Sequence, residues 1–241
     1  MDVVYLFKAD SENNSQELRY SLRSLKNIPH GKVFIVGEKP DWATNIGHIP
    51  ISQSRTKAEN VRMNLLAAAG SDKISDDFIM MNDDFFIMKK IQNMPILNFG
   101  DMKSLITRFE TRYPEGSDYI DNMKELYEVL TKLGYGQPIS YELHVPMVIN
   151  RQNVQELRRS VGGSFYQFRT FYGNYFHIGG DTAGDVKIFI NSQHNDPSYN
   201  IDPKGYLSRQ TLLSATGGSF KNGKVGDFIK RAFPEKSNYE I

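Results

Sequence analysis

The fold is decided by the stretch Phe78-Ile79-Met80-Met81-Asn82-Asp83-Asp84-Phe85-Phe86-Ile87-Met88. Its first four residues are apolar without alternation, which predicts a short strand buried on both faces. Open α/β sheets bind ligands beyond the carboxyl ends of their strands, where Asp83 and Asp84 would lie. Carboxylates flanked by so much apolar bulk suit a Mg²⁺ or Mn²⁺ ion that carries diphosphate oxygens. The alternative interpretation is a strand-to-turn junction that the Asp side chains cap.

Composition excludes several classes of protein. The 241 residues are 39% hydrophobic and 24% charged, which is typical of a soluble globular protein with one large α/β domain. The absence of cysteine excludes disulfides, zinc-thiolate sites and thiol nucleophiles, and fits a cytoplasmic protein. A net charge of +1 gives no general attraction to DNA. Because no apolar run approaches ~18 residues and no signal peptide is visible, we expect neither a membrane protein nor a secreted one.

Strand and helix patterns alternate through the first part of the chain. A helix between two apolar strands within about 35 residues is a βαβ unit, which predicts a parallel pair with a right-handed crossover. The sequence contains neither GxGxxG nor GxxxxGK[ST], so a dinucleotide fold and a P-loop enzyme lose their usual support. The predicted elements are strands at residues 3–7, 32–37, 46–51 and 78–81, and helices at residues 17–25 and 57–69.

The later part of the chain predicts more helices and a late strand. The aromatic-rich residues 165–176 favour a helix packed into a core, with a stacking surface as the alternative. Residues 118–133, 154–161 and 225–233 are predicted helices, and residues 186–190 a strand. We predict a single domain over residues 1–241, with a nucleotide-binding half at 1–95 and an acceptor half at 118–241.

Several segments occur in the order found in a known family of transferases. The Glu17-to-Ser24 string, Glu-Leu-Arg-Tyr-Ser-Leu-Arg-Ser, is the most specific of them. The others are Asp2-Val3-Val4-Tyr5, Asp10-Ser11, Asn82-Asp83-Asp84-Phe85-Phe86, His144-Val145-Pro146, Arg151, Phe168-Arg169-Thr170 and, loosely, Asn195-Asp196. With these segments the chain resembles the Stealth family of sugar-phosphate transferases over residues 2–200, discontinuously. Its small size also resembles compact glycosyltransferase-like proteins of tailed bacteriophages, which would place it in the host cytoplasm.

The resemblance implies an α/β fold of the GT-A-like, nucleotide-sugar-binding type, with a mostly parallel central sheet flanked by helices. The donor would be a nucleotide-diphosphate sugar, whose leaving group needs its charge neutralised by Mn²⁺ or Mg²⁺. Asp84, helped by Asp83, would bind that ion. GT-A enzymes often add a late side chain to the metal, and His194 or Asp196 would serve; a solvated loop histidine is the alternative for His194.

Basic residues and one acidic residue are candidates for donor binding. Arginine forks match phosphate oxygens, although a solvated helix face is the alternative for Arg19 and Arg23. Helix N-termini also favour anions, so the start of the second predicted helix could bind the diphosphate. The candidates are Asp10 for the nucleoside, Arg19 and Arg23 for the diphosphate or base, and Arg55, Lys57 and Arg62 around the second helix start.

The resemblance also implies catalytic roles. His144 would act as a general base or as an acid on the phosphate, and Arg169 would stabilise the developing charge. Asp83 is the third candidate catalytic residue. A histidine before Val-Pro can equally be structural, so the role of His144 depends on the family match.

Two transfer chemistries and two other classes of function stay open. We favour transfer of the sugar to an acceptor hydroxyl over transfer of sugar-1-phosphate to a glycan. The acceptor would be hydroxymethylated DNA, a glycan or a protein. The segment from Lys204 to Ile241 has seven basic residues against three acidic ones. Such an excess would suit a nucleic-acid-binding module that contacts phosphates, but we favour a solubilising tail. A catalytically inactive fold used in assembly is the third class.

Overall fold

A computed structural model describes residues 1–9, 15–53, 56–161, 167–192 and 205–241, and the structural statements below concern these residues. The strands are β1 (Asp2–Phe7), β2 (Val33–Gly37), β3 (Gly47–Pro50), β4 (Asp77–Met81), β5 (Phe85–Ile87), β6 (Leu97–Asn98), β7 (Gly100–Asp101), β8 (Ile139–Ser140), β9 (Met147–Asn150), β10 (Asp181–Thr182), β11 (Lys187–Ile188) and β12 (Leu212–Ala215). The helices are α1 (Gln16–Ser24), α2 (Lys57–Gly70), α3 (Met102–Arg112), α4 (Asp118–Lys132), α5 (Arg151–Val161), α6 (Phe168–Tyr175), α7 (Tyr206–Arg209), α8 (Gly217–Asn222) and α9 (Lys224–Ala232), with a 3₁₀ turn at Leu25–Asn27.

The central sheet is mixed and mostly parallel, as the sequence predicts. Its strand order is β3-β2-β1-β4-β9. Strands β1 to β4 run parallel, and β9 joins the β4 edge in the antiparallel direction. The β1-α1-β2 crossover and the strand before the acidic doublet are thereby confirmed. The residues of β1 and β4 are almost all fully buried, which is why both strands have continuous apolar sequences.

A second, smaller sheet begins directly after the acidic doublet. Its order is β11-β12-β5, with β5 antiparallel and β11 parallel to β12. Residues from three distant parts of the sequence therefore become neighbours, because Lys187, Ser214 and Phe85 face one another across the three strands.

The chain forms two compact units. The first comprises Met1–Met94, His144–Gln152 and Val186–Ile241, and the second comprises Pro95–Leu143 and Asn153–Asp185. This grouping differs from the predicted halves, 1–95 and 118–241, because β9, β11 and β12 return to the first unit.

The C-terminal segment is folded, so the interpretation as a solubilising tail is wrong for residues 205–241. Helices α8 and α9 bury one apolar face in a cluster with β5 and β12; its C-terminal members are Phe220, Val225, Ile229 and Phe233. The predicted amphipathic helix at 225–233 is confirmed. Gly226 permits the close packing of α8 and α9, since a Cβ there would overlap the carbonyl of Phe220.

Buried aromatic rings anchor part of the aromatic-rich segment. Residues 165 and 166 lie outside the described residues, whereas α6 buries Phe171 and Tyr172 and leaves Phe168, Tyr175 and Phe176 partly exposed. The favoured prediction, a helix packed into a core, is therefore confirmed for α6. None of the helices in the described part of the chain combines the length and apolar character that a membrane crossing requires.

Candidate functional site

The order in which strands are added to the central sheet changes direction at β1. From β1 it adds β2 and β3 on one side, and it then places β4 on the other side of β1. Ligands of open α/β sheets bind beyond the carboxyl ends of the strands at such a switch point. Asn82, Asp83 and Asp84 follow β4 at this position, all three half-buried.

The triplet forms a tight turn into β5. The amide of Phe85 donates to the carbonyl oxygen of Asn82 at 3.3 Å, which closes the turn around the two carboxylates. Burial raises the pKa of the Tyr5 phenol far above its usual value; the hydrogen bond with Ser21 opposes the rise, and the charge of Asp83 adds to it. The negative charge of Asp83 therefore acts on the buried phenol of Tyr5, which stays neutral.

Helix α1 holds the strand that follows the doublet. The Tyr5 hydroxyl donates to Ser21 Oγ at 2.9 Å, and Ser21 Oγ donates to the carbonyl of Phe85 at 2.5 Å. Ser24 Oγ accepts from the amide of Ile87 at 3.1 Å. These serines are three residues apart, on one face of the helix. The specific string at residues 17–24 thus supplies an anchor for β5.

Asp84 is ion-paired. Lys187 Nζ lies 2.8 Å from Asp84 Oδ2, and Ser214 Oγ donates to the same oxygen at 3.4 Å. The side chains of Lys187 and Asp84 are 14% and 17% exposed. The register of the second sheet explains the contact, because Lys187 and Ser214 lie in line with Phe85, which follows Asp84.

The doublet offers oxygen ligands for a divalent ion. No group of three or more His, Asp or Glu side chains within the described ranges is placed to hold a metal. Mg²⁺ is commonly bound by one or two carboxylates together with substrate phosphates, and two adjacent carboxylates fit that pattern. Asp83 and Asp84 would then hold the ion only together with donor oxygens, and Lys187 would have to share Asp84 with it.

Arg19 and Arg23, the candidates for donor binding on α1, both contact the carboxylate of Glu240. Arg23 forms two 2.8 Å hydrogen bonds to the two carboxylate oxygens of Glu240. Arg19 lies 3.5 Å from the same carboxylate and 4.0 Å from the centre of the Trp42 ring. The physical reason is burial: the Glu240 side chain is 0% exposed, and a buried carboxylate requires a charged partner.

The other predicted donor residues divide into described and undescribed positions. Arg62 lies on α2, half-buried. Asp10, Arg55 and His194, together with Asp196, lie outside the described residues. Lys57 begins α2, whose N-terminus has a capping box between Thr56 and Glu59. That box satisfies the amides of Thr56 and Glu59.

The predicted catalytic residues belong to different units. His144 lies in the first unit, half-buried, in the segment that leads to β9. Arg169 lies in the second unit on the first turn of α6, where its Nη1 donates to the carbonyl of Leu143 at 3.1 Å. Arg151 of the third resemblance block pairs with Asp76 at 3.0 Å, which makes it an anchor for the start of β4.

Polar groups at the end of β2 were missed by the sequence analysis. Gly37 has a φ of 119°, and a Cβ there would lie 2.1 Å from the carbonyl oxygen of Phe7, so β1 and β2 end in close contact. Next to Gly37, Glu38 accepts from the amide of Ala9 at 3.1 Å. The buried amides of Gln53 and Asn64 bind each other at 2.8 Å. These groups line the same edge of the sheet as the acidic doublet.

A cavity of about 490 Å³ lies at the opposite edge of the sheet. Its lining includes Lys32, Gly47, Lys73 and Tyr239, near the amino ends of β2 and β3. It therefore does not belong to the crevice at the carboxyl ends of β1 and β4.

Comparison with models of known protein families found no match. Comparison with curated proteins found none either. The geometry at the switch point is therefore what an assignment of function has to build on.

Proposed function

We propose that the protein is a transferase that uses a nucleotide-diphosphate sugar and moves the sugar to an acceptor hydroxyl. The observation that carries this proposal is the position of Asn82-Asp83-Asp84 at the topological switch point of a mostly parallel sheet. The resemblance to Stealth enzymes supports a nucleotide-sugar donor and a GT-A-like fold, and the resemblance to compact phage glycosyltransferases supports transfer of the sugar itself.

Asp84 and Lys187 would act on the diphosphate. In the free protein they neutralise each other at 2.8 Å. A donor that brings two negative phosphoryl groups into the crevice offers Lys187 phosphate oxygens, which are negatively charged like the carboxylate of Asp84. The ammonium group would then bind a phosphate oxygen and stabilise the charge of the leaving diphosphate. Lys187 is a functional residue that the sequence analysis did not single out.

A divalent ion, Mn²⁺ or Mg²⁺, would be held by Asp83 and Asp84 together with the donor, and when bound it would neutralise the leaving diphosphate. Other residues of the chain would hold these two carboxylates in position. Tyr5 and Ser21 fix the carbonyl of Phe85, and with it the turn that carries both carboxylates. Glu38 fixes the end of β1 through Ala9.

Transfer of sugar-1-phosphate is the second candidate. The His144-Val145-Pro146 and Phe168-Arg169 elements of the Stealth-like pattern favour it. The two reactions leave different products: transfer of the sugar releases a nucleoside diphosphate, and transfer of the sugar phosphate releases a monophosphate. Chromatography of the released nucleotide therefore distinguishes them without knowledge of the acceptor.

A thermal-shift panel of nucleotide sugars with and without Mn²⁺ tests the proposal. A ligand that binds only the folded state raises the melting temperature by mass action. We expect at least one uridine, guanosine or cytidine diphosphosugar to stabilise the wild type when Mn²⁺ is present, and the Asp84→Asn variant to lose that shift. A panel in which no nucleotide sugar shifts the melting temperature contradicts the proposal.

A further inference from the structure

The cavity of about 490 Å³ at the amino ends of β2 and β3 has an exposed polar rim and a buried floor. Its volume lies within the range of small-molecule sites, roughly 300–1,000 Å³. The lining residues Val33 and Phe34 are 2% and 4% exposed, which makes them the floor. The rim residues are exposed, so a ligand can reach them from solvent; they are Lys32, Asn45, Asp72 and Lys73.

Two lysine side chains give the rim its positive charge. The ammonium groups of Lys32 and Lys73 have no partner among the described residues, where only backbone groups of these lysines are bonded. Asp72 is the single carboxylate among the described lining residues, so two ammonium groups stand against one carboxylate. An ammonium group is a compact charge that binds phosphate oxygens. A ligand phosphate therefore has no internal ion pair to break.

Asp2 fixes the two segments that carry these lysines. Its Oδ1 accepts from the amide of Lys32 at 2.8 Å, and its Oδ2 accepts from the amide of Ser75 at 2.9 Å. Ser75 Oγ accepts from the amide of Asp2 at 2.9 Å. The start of β2 and the loop after α2 are thereby tied to the start of β1. This part of the rim is held in place before a ligand binds, which lowers the entropic cost of binding.

The rim also offers acceptors for hydroxyl groups. Asn45 Nδ2 donates to the carbonyl of Asn238 at 2.8 Å, which leaves Asn45 Oδ1 without a partner among the described residues. The carboxylate of Asp72 has no partner among them either. Amide and carboxylate oxygens accept from hydroxyl groups such as those of a sugar. Tyr239, whose hydroxyl lies 2.9 Å from His30 Nε2, adds an aromatic residue to the lining.

We infer that this cavity binds a small phosphomonoester that carries hydroxyl groups, either a sugar phosphate or a nucleoside monophosphate. The phosphate binds Lys32 and Lys73, and Asn45 and Asp72 accept from the hydroxyl groups. A phosphate dianion matches two ammonium groups in charge, which a single carboxylate does not. The cavity is separate from the crevice at the carboxyl ends of β1 and β4, so this inference does not rest on the proposed function.

Calorimetric titration without divalent ions tests the inference. The probes are ribose 5-phosphate, uridine monophosphate and ribose, and the phosphorylated probe that binds more tightly identifies the source of the ligand. We expect saturable binding of at least one phosphorylated probe, and ribose to bind at least about tenfold more weakly. The double variant Lys32→Gln/Lys73→Gln should lose at least about tenfold in affinity for that probe.

The matched control is Lys103→Gln/Lys132→Gln, which removes the same charge at exposed positions of the second unit and should leave the affinity unchanged. Binding of neither phosphorylated probe overturns the inference. Equal binding by Lys32→Gln/Lys73→Gln also overturns it, because the ligand then lies elsewhere.

A second titration, with inorganic phosphate, tests the position of the phosphate. Asp72→Asn removes a negative charge beside the two lysines, so we expect phosphate to bind roughly twofold to fivefold more tightly to this variant. Glu125→Gln, at an exposed position of α4, is the control and should bind phosphate as the wild type does. An unchanged or lower affinity of Asp72→Asn overturns the inference, because the phosphate then does not lie at this rim.

Discussion

Two ion pairs in the first unit are both largely shielded from solvent, but their carboxylates accept different numbers of hydrogen bonds. In the Arg23–Glu240 pair, both carboxylate oxygens accept from Arg23, and Ser237 donates its amide and its hydroxyl to Glu240 Oε1 at 3.0 Å. In the Lys187–Asp84 pair, the described residues donate only to Oδ2. Both oxygens of Glu240 accept hydrogen bonds within the fold. Asp84 Oδ1 accepts none from the described residues, so it could bind a ligand at the switch point.

The difference separates a carboxylate whose oxygens both accept hydrogen bonds within the fold from one that accepts at a single oxygen among the described residues. Both carboxylates are largely shielded, so burial alone does not distinguish them. A carboxylate accepts about four hydrogen bonds when it is fully satisfied. Glu240 approaches that number, and Asp84 does not. We therefore expect substitutions at the two pairs to affect different measurable properties.

Glu240→Gln should have the largest effect, and on stability. It keeps the shape of the side chain but leaves the shielded guanidinium of Arg23 without a counter-charge. We expect a loss of about 3 kcal/mol in the free energy of unfolding, measured by urea denaturation. Glu235→Gln, at an exposed position, is the matched control. Donor-dependent thermal shifts of the folded Glu240→Gln protein should persist. Wild-type stability of the variant would show that the pair is dispensable.

Asp84→Asn should affect activity and spare the fold. The amide keeps the hydrogen-bonding shape while removing the charge that holds Lys187 and would hold a metal. We expect release of nucleotide from the donor to fall at least about a hundredfold, as when one electrostatic contributor to a transition state is removed. Asp227→Asn, on the exposed face of α9, is the control. Unchanged turnover in Asp84→Asn would place the active site elsewhere.

Ser21→Ala tests whether α1 anchors the turn that carries the doublet. The substitution leaves the buried Tyr5 hydroxyl and the Phe85 carbonyl without their shared partner. We expect a destabilisation of about 1–2 kcal/mol in urea denaturation. Ser208→Ala, at an exposed position, should cost much less. If the two variants are equally stable, the serine does not hold the strand.

The pH dependence of the Glu240 contribution is the smallest and most specific effect. Burial acts to raise the pKa of Glu240, but the hydrogen bonds from Arg23 and Ser237 outweigh it and hold the pKa below its usual value. A carboxyl whose pKa is lower in the folded state stabilises the fold above its unfolded pKa, and this stabilisation is lost as the pH falls through the folded pKa. The stability difference between wild type and Glu240→Gln should therefore be constant above about pH 5 and shrink below it, by at most about 1.4 kcal/mol per pH unit. A difference that persists unchanged at pH 3 would contradict this account.

The sequence predicted what depends on local pattern. The βαβ unit, the buried strand before Asn82 and the amphipathic helix at residues 225–233 follow from apolar spacing, and the structure confirms them. Arg19 and Arg23 were assigned to the donor because they follow the first strand and arginine forks match phosphate oxygens. Their actual partner, Glu240, is more than 200 positions away in the sequence. No local pattern marks a pairing over that distance.

The same cause explains why the sequence analysis missed Lys187 as a candidate site residue. Lys187 lies in a two-residue strand, and only the pairing of β11 with β12 and β5 brings it to Asp84. The apolar face of the helix at residues 225–233 was predicted from its spacing, but its packing with β5 and β12 depends on contacts between distant parts of the sequence.

The return of β9 to the edge of β4 has a consequence for synthesis of the chain. Residues 77–81 leave the ribosome well before residues 147–150, so the nascent polypeptide holds an apolar strand with one side unpaired while the intervening segment is translated. A strand in that condition is prone to associate with other chains. Expression at a lower temperature or with a chaperone that binds extended apolar segments should therefore increase the yield of folded protein.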